Sequence, residues 1–220
     1  MTQSSGIVLY NYFRSSVSYR VRIALQLKNL PYEYRSVRLA VDGGEQYGAE
    51  YAKLNPAREI PTLVHDGRVI GQSIAILDYL DAIAPVPCLF PTAQPDRAHV
   101  LQACEIINSG AHPPGNLRVQ KLLIESFGAT ESQREDWTEF WIRWGLDSLE
   151  AFLKPHAGKY SFGDALTASD CFLVPHMFIA DRFNVSTAAH PTLERIAGNC
   201  GAIEAFDKAS PPKQPDAPKS

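Results

Sequence analysis

The sequence predicts an α/β domain followed by an all-α domain. Three observations carry this. The first 84 residues hold apolar runs in the order β-α-β-α-β-β-α, and residues 85–95 contain four prolines. From residue 96 to the end, apolar residues recur at helical spacing and no strand pattern returns. The expected organisation is therefore an N-terminal domain over 1–84, a linker over 85–95 and a helical domain over 96–220.

The elements follow in order. "GIVLY" (6–10) is a short apolar run bounded by polar residues, a buried strand. Val17, Val21, Ala24 and Leu25 follow a helical period from Ser16 to Lys28, and Asn29 and Pro31 stop it. "YEYRSVRL" (32–39) alternates and is rich in strand formers. "VDGGEQYG" is a loop, and a short helical piece runs on to Leu54. "TLVH" and "RVIG" read as strands joined by Asp66-Gly67, a hairpin turn pair. Ser73 opens a helix with Asp78 and Asp81 on a wet face. Helices are expected over 96–127, 131–154, 168–182 and 191–206, with a proline-rich tail, "ASPPKQPDAPKS", lying extended along the surface. In "LTASDC", Thr167 is the N-cap and Asp170 the N3 partner of a capping box, a structural start signal. Trp137, Trp141 and Trp144 recur at helical spacing, as core or interface residues do.

Composition narrows the function. Against 21 Lys and Arg stand 24 Asp and Glu, a net charge of −3, so no basic excess points to nucleic acid. No apolar run reaches the length of a membrane span, and the N-terminus has no secretory pattern; a cytoplasmic protein is expected. Cys88, Cys104, Cys171 and Cys200 form no CxxC and fit no metal spacing, which reads as reduced thiols and no metal.

The first helix starts with more than it needs. One capping hydroxyl suffices, yet Ser15, Ser16 and Ser18 are all there, with Arg14, Arg20 and Arg22 close by. One cap and two bystanders is one reading, with Arg20 and Arg22 as ordinary ion-pairing residues. The other reading is chemical. A helix start after a strand presents free N–H groups and the positive end of the helix dipole, which favour an anion. A serine hydroxyl donating to a thiolate lowers that thiol's pKa. No cysteine lies at the helix start, so the thiol must arrive on a ligand. Pro61, just before a strand, predicts a cis bond after Ile60 that exposes the Ile60 backbone to an extended peptide. Gln72 and Ser73 open a second helix start suited to a carboxylate. Thiol site, pairing edge and carboxylate site together suit a small peptide thiol.

"SSVSYRVRIAL", "NPAREIPTL", "GQSIAILDYL", "HPPGNLRV", "DALTASDCFLVP", "ADRFNV" and "QPDAP" resemble the motifs of zeta-class glutathione transferases, the family of maleylacetoacetate isomerase. The resemblance spans nearly the whole chain. It implies a thioredoxin-like domain, a C-terminal helical bundle, glutathione as cofactor and a homodimer. Ser15 and Ser16 then stand at the thiol, with Ser16 stabilising the thiolate. Gln46, Ile60, Gln72 and Ser73 hold the rest of glutathione. His112 and Asn116 reach peptide or substrate, and His112 beside Pro113 can equally serve as a helix cap. Arg14, Arg118 and Arg182 face the carboxylates and enolate oxygen of the substrate, work that suits the planar guanidinium fork. Val17 stands where relatives often carry cysteine and Tyr19 where they carry tryptophan, so thiol-exchange side activities are not expected. Gly115 replaces a residue polar in many relatives. The implied reaction is cis–trans isomerisation of a maleyl diacid by thiolate addition, bond rotation and elimination. Maleylacetoacetate is the first candidate substrate and maleylpyruvate the second. General conjugation of electrophiles or α-halo acids, and a non-catalytic glutathione-binding protein, are the alternatives.

Overall fold

The computed structural model describes residues 6–39 and 43–218, and the chain divides into two compact units, Met1–Leu89 with Gly201–Ser220, and Phe90–Cys200. The first two residues of the loop expected at 41–48 and the last two of the tail lie outside the described residues.

In the first unit, β1 (Ile7–Asn11) pairs in parallel with β2 (Tyr32–Ser36) and antiparallel with β3 (Thr62–His65), which pairs antiparallel with β4 (Arg68–Gly71). The sheet order is β2-β1-β3-β4. A parallel pair needs a crossover, and α1 (Ser16–Leu27) supplies it. Leu9 sits at the sheet centre, in register with Tyr34 on one side and Leu63 on the other. Asp66 and Gly67 both take positive φ, 50° and 73°, as a two-residue hairpin requires. β2 ends at Ser36, short of the expected residue 39: Val37 still bonds the Asn11 carbonyl at 2.7 Å, after which the chain turns so that Arg38 meets Glu45. A 3-10 turn (Glu45–Tyr47), α2 (Ala49–Leu54) and α3 (Ser73–Ile83) complete the expected order.

α1 buries Val21, Ala24 and Leu25 without remainder, each side chain of leucine size contributing about 1.5–3 kcal/mol by leaving water. Its neighbours are α3 and, unexpectedly, α9 (Glu204–Ala209). The helical domain expected over 96–220 thus loses its last segment to the first unit. Phe206 and Ala209 are buried here; Tyr19 donates its hydroxyl to the Phe206 carbonyl at 3.1 Å and Arg22 Nε donates to the Ala209 carbonyl at 2.9 Å. Periodicity marks an apolar face but not what covers it. The expected helix over 191–206 is two, α8 (Pro191–Gly201) and α9, separated just after Gly201.

Two further expectations change. Asp81 is not on a wet face: it pairs at 2.7 Å with Lys28, whose buried ammonium also donates to the carbonyls of Ala84 and Pro87. Arg20 and Arg22 are not surface ion-pairing residues but are 1% and 0% exposed.

The second unit is helical: α4 (Gln94–Glu105), a π-helical turn (Ile106–Ala111), α5 (Leu117–Phe127), α6 (Glu131–Leu153), α7 (Ala168–Arg182) and α8. The one helix expected over 96–127 is broken, because Pro113 and Pro114 have no N–H to continue the ladder. The π turn closes with His112 N–H on the Ile107 carbonyl at 2.9 Å. α6 opens on a capping box, Thr130 N–H to Gln133 Oε1 at 2.9 Å and Gln133 N–H to Thr130 Oγ1 at 3.3 Å. The Asp170 carboxylate starts α7 as expected, accepting from Thr167 N–H at 2.8 Å and also from the Ser161 N–H and hydroxyl. Burial pushes the Asp170 carboxyl up, and those donors pull it back. Trp137 and Trp144 are 36% and 38% exposed and are not core residues of this unit; half-buried Trp141 stands edge-on between them, its ring 5.9 Å from each.

Candidate active site

The start of α1 sorts its three serines. Ser15 is the N-cap, its backbone extended and its Oγ accepting from Ser18 N–H at 3.1 Å. Ser18 is fully buried, and its hydroxyl has no partner among the described residues. Ser16 is the first helical residue, 6% exposed, and its hydroxyl forms no hydrogen bond among the described residues. One hydroxyl caps, one is walled in, and one stands uncommitted at the positive end of a helix with no acid in its first turn.

The turn leading to that cap is held from outside. Arg22 donates to the Tyr12 carbonyl at 3.2 Å, the Phe13 carbonyl at 2.9 Å and Asn11 Oδ1 at 3.1 Å. Burial lowers the Arg22 pKa, and nearby Tyr34, Tyr32 and Asp216 oppose that. From the other side, Phe13 N–H donates to Asp216 Oδ2 at 3.2 Å. Asp216 is fixed in turn by the Ser36 hydroxyl at 2.6 Å and the Tyr34 hydroxyl at 2.5 Å. Burial, with the Asp216 bond, pushes the Tyr34 hydroxyl up. Asp216 lies in the "QPDAP" motif, but nothing local to it announces a partner 203 residues away at Phe13.

Of the remaining first-unit candidates, Ile60 lies just before β3, Gln72 and Ser73 just after β4, and Gln46 in the 3-10 turn. The Ile60–Pro61 bond is cis, as expected. The turn before it is pinned by Tyr51, whose hydroxyl donates to the Glu59 carbonyl at 2.7 Å, and by Asn55 Nδ2 on the same carbonyl at 2.9 Å and on Thr62 Oγ1 at 2.9 Å. Burial raises the Tyr51 hydroxyl to about 12, so it stays a donor throughout the neutral range. These two supports were not read from the sequence, although Asn55-Pro56 is a turn signal: Asn55 Oδ1 accepts from Ala57 N–H at 3.0 Å.

Gln46 is buried, and its Oε1 has no partner among the described residues. Gly44, at φ 108°, makes room for it; a Cβ there would lie 2.5 Å from Gln46 Nε2. Arg38 grips Glu45 through its Nε at 2.7 Å and its backbone N–H at 2.7 Å, holding that carboxyl below its usual range and fixing the 3-10 turn. Gln72 takes φ 63° and ψ 118°, a strained conformation for a residue with a side chain that costs about 1–3 kcal/mol. Its Nε2 donates to Glu59 at 3.0 Å. Ser73, fully buried, accepts from Arg20 Nη1 at 3.1 Å, so α1 and the start of α3 are tied together. Arg14 is exposed, its guanidinium 6.0 Å from the Phe13 ring centre.

His112, Asn116, Arg118 and Arg182 belong to the second unit. Asn116 is the N-cap of α5, its Oδ1 accepting from Arg118 N–H at 3.2 Å; that leaves its amide donors for a ligand. The "HPPGN" turn is fastened by Trp137 Nε1 on the Pro114 carbonyl at 2.9 Å and Gln120 Nε2 on the Gly115 carbonyl at 2.7 Å. Half-buried His112 precedes it, at the end of the π turn. Arg118 is exposed on the first turn of α5, and Arg182 is exposed at the end of α7, over the Phe183 ring at 5.0 Å.

Residues 14–83 match the family described as the N-terminal domain of glutathione S-transferase. A probable maleylacetoacetate isomerase of Vibrio cholerae is 41% identical over 212 residues, 96% of this chain and 99% of that protein. The holo structure of a maleyl pyruvate isomerase, a bacterial zeta-class glutathione S-transferase, superposes with a TM-score of 0.91 at 38% identity, covering 96% of this chain and all of that one. The maleylacetoacetate isomerase of Anaeromyxobacter dehalogenans, solved with glutathione in its active site, gives 0.87 at 40% identity over 98% of this chain and 100% of its own. That protein has also been solved with dicarboxyethyl glutathione and citrate in the active site.

Proposed function

The chain belongs to the zeta-class glutathione S-transferase family that includes the maleylacetoacetate isomerases, and from that premise we propose that it is a glutathione-dependent cis–trans isomerase of maleyl diacids. The observation that carries the reading is the uncommitted Ser16 hydroxyl at the mouth of α1. The first unit's residues fit the tripeptide: a buried Gln46 oxygen lacks a partner among the described residues, Gly44 leaves room for its side chain, and Gln72 is held in strain at a second helix start.

Glutathione, when bound, supplies the thiolate that adds to the cis double bond and leaves once that bond has turned. The residues of this chain do the rest. Ser16 donates to the sulfur and, with the helix terminus, keeps it ionised. Ser15 holds the helix start in place. The Ile60 backbone, Gln46, Gln72 and Ser73 bind the peptide, and Ser73 is oriented by Arg20. Arg14, Arg118 and Arg182 neutralise the substrate carboxylates and the charge that develops on the carbonyl oxygen. His112 and the Asn116 amide contact peptide or substrate. No strong base is needed, because no C–H bond is broken.

Maleylacetoacetate is the preferred substrate. Maleylpyruvate is the second, kept because one of the similar solved structures is a maleyl pyruvate isomerase, 38% identical to this chain. Removing a methylene shifts discrimination by only about 1–3 kcal/mol, so the two acids must be compared directly. We place the enzyme in the cytoplasm and read it as a homodimer. Exposed Phe127, Phe140 and Leu122 on α5 and α6 support the second copy, and a monomer mass in solution would contradict it. The functional test follows the ultraviolet absorbance of each maleyl acid with and without glutathione. Isomerisation is expected only with glutathione and with no net thiol loss. Loss of one thiol per turnover would mean conjugation instead.

A further inference from the structure

The C-terminal "QPDAP" motif has no part in the reaction so far, yet its aspartate reaches the turn that carries the thiol site. We propose that Asp216 is a positioning residue: by accepting the Phe13 N–H it locks the Tyr12–Arg14 turn against Arg22 and so sets where α1 presents Ser15 and Ser16. The inference rests on reading that helix start as the glutathione thiol site.

The turn has few residues of its own and its peptide groups are bound by side chains from elsewhere. The Phe13 carbonyl takes Arg22 Nη2 at 2.9 Å, and the Phe13 N–H takes Asp216 at 3.2 Å. The Tyr12 carbonyl accepts both Arg22 Nη1 at 3.2 Å and the N–H of the cap, Ser15, at 3.1 Å. A displacement of Phe13 therefore passes to the cap through one peptide. Asp216 can resist such a displacement because β2 holds it through Tyr34 and Ser36. The tail that delivers it is folded as well: Gln214 Nε2 donates to the Lys208 and Ser210 carbonyls at 2.9 and 2.8 Å, and Phe206 and Ala209 are buried against α1. The two grips are of opposite charge, a buried guanidinium on the carbonyl side and a carboxylate on the N–H side.

Position matters here for a physical reason. The field of a helix terminus fades within the first turn, and a misplacement of about 1 Å at a reacting group can cost up to about a hundredfold in rate. Losing the Asp216 bond should then shift the ionisation of the bound thiol more than the affinity for the tripeptide, most of whose contacts are made at Gln46, Ile60, Gln72 and Ser73.

The test uses Asp216→Ala and Asp216→Asn in the full chain. Asp216→Asn is the conservative control: its amide oxygen can still accept the Phe13 N–H while its amide N–H donates to the Tyr34 hydroxyl oxygen, whereas Asp216→Ala removes the acceptor. Three readouts are taken: the thiolate absorbance of bound glutathione against pH, the glutathione Kd, and kcat on maleylacetoacetate. The expected result for Asp216→Ala is an ionisation constant of the bound thiol weakened about threefold to tenfold, a matching fall in kcat at neutral pH that closes at alkaline pH, and a Kd within about twofold, with Asp216→Asn restoring most of the loss. A folded Asp216→Ala whose thiol midpoint and kcat match the unaltered protein overturns the proposal. Should Asp216→Ala not fold, hydrogen exchange of the Phe13 amide in the unaltered protein decides: exchange as slow as that of the α1 interior supports the lock, and exchange at the rate of an open loop overturns it. Absence of glutathione binding by the unaltered protein would instead strike the reading of the site, and the amide measurement would still judge Asp216.

Discussion

Ser16 is the residue on which the proposed chemistry turns. Ser15 caps the helix and the unpartnered Ser18 hydroxyl is fully buried, while the Ser16 hydroxyl, on the first helical residue, also has no bond among the described residues. Ser16→Ala should lower kcat for maleyl isomerisation about tenfold to a hundredfold, the effect of raising the bound thiol's pKa by one to two units, while the glutathione Kd changes little. Steady-state kinetics against both acids measures it; full activity would remove the hydroxyl from the mechanism. The surplus of serines at a helix start was legible in the sequence, because a strand followed at once by a helix start is a local pattern. Which serine caps was not legible, since that depends on the backbone angles of a single residue. The role of Arg22 was missed for a related reason. An arginine in a helix ordinarily reads as solvated, and only tertiary structure reveals the carbonyls of Tyr12, Phe13 and Ala209 gathered round it.

At the scale of elements, the site is assembled from short pieces that gain their shape from neighbours. The 3-10 turn at Glu45–Tyr47 is too short to be stable alone, and Arg38 on Glu45 and the bare α-carbon of Gly44 shape it. Gly44→Ala would force a methyl to within 2.5–2.8 Å of the Gln46 carboxamide at a φ of 108° that side chains rarely adopt. The expected outcome is a glutathione Kd weakened about tenfold, one bond's worth of lost binding, with the kcat of the saturated enzyme nearly kept. Isothermal titration checks the first part and saturation kinetics the second. Element types were readable where one period or one turn pair dominated: Asp66-Gly67 gave the hairpin, and Thr167 with Asp170 gave the start of α7. The reading failed at 96–127, where the helical period continues on both sides of Pro113 and Pro114 and hides the break between them. It failed again past Gly201, where α9 has an ordinary apolar face.

For the whole molecule, the order of elements in the sequence is not the order of packing. Residues 201–218 come last but complete the first unit, covering α1 with Phe206 and Ala209 and bringing Asp216 to the turn before Ser15. Contacts at a separation near 200 residues leave no trace in local periodicity, so this closure was the least legible part of the fold. The fold class, by contrast, was plain from segment order and the proline-rich connection. One chemical claim underlies the proposed function: the protein ionises a thiol it does not own. The most direct test is a pH titration of the thiolate absorbance of glutathione bound to the unaltered enzyme, set against free glutathione. A free thiol titrates near about 8.5, and the account predicts a bound midpoint lower by about two units, with most of that shift lost in Ser16→Ala. A bound thiol that titrates with the free one, in an enzyme that still isomerises maleyl acids, would contradict it.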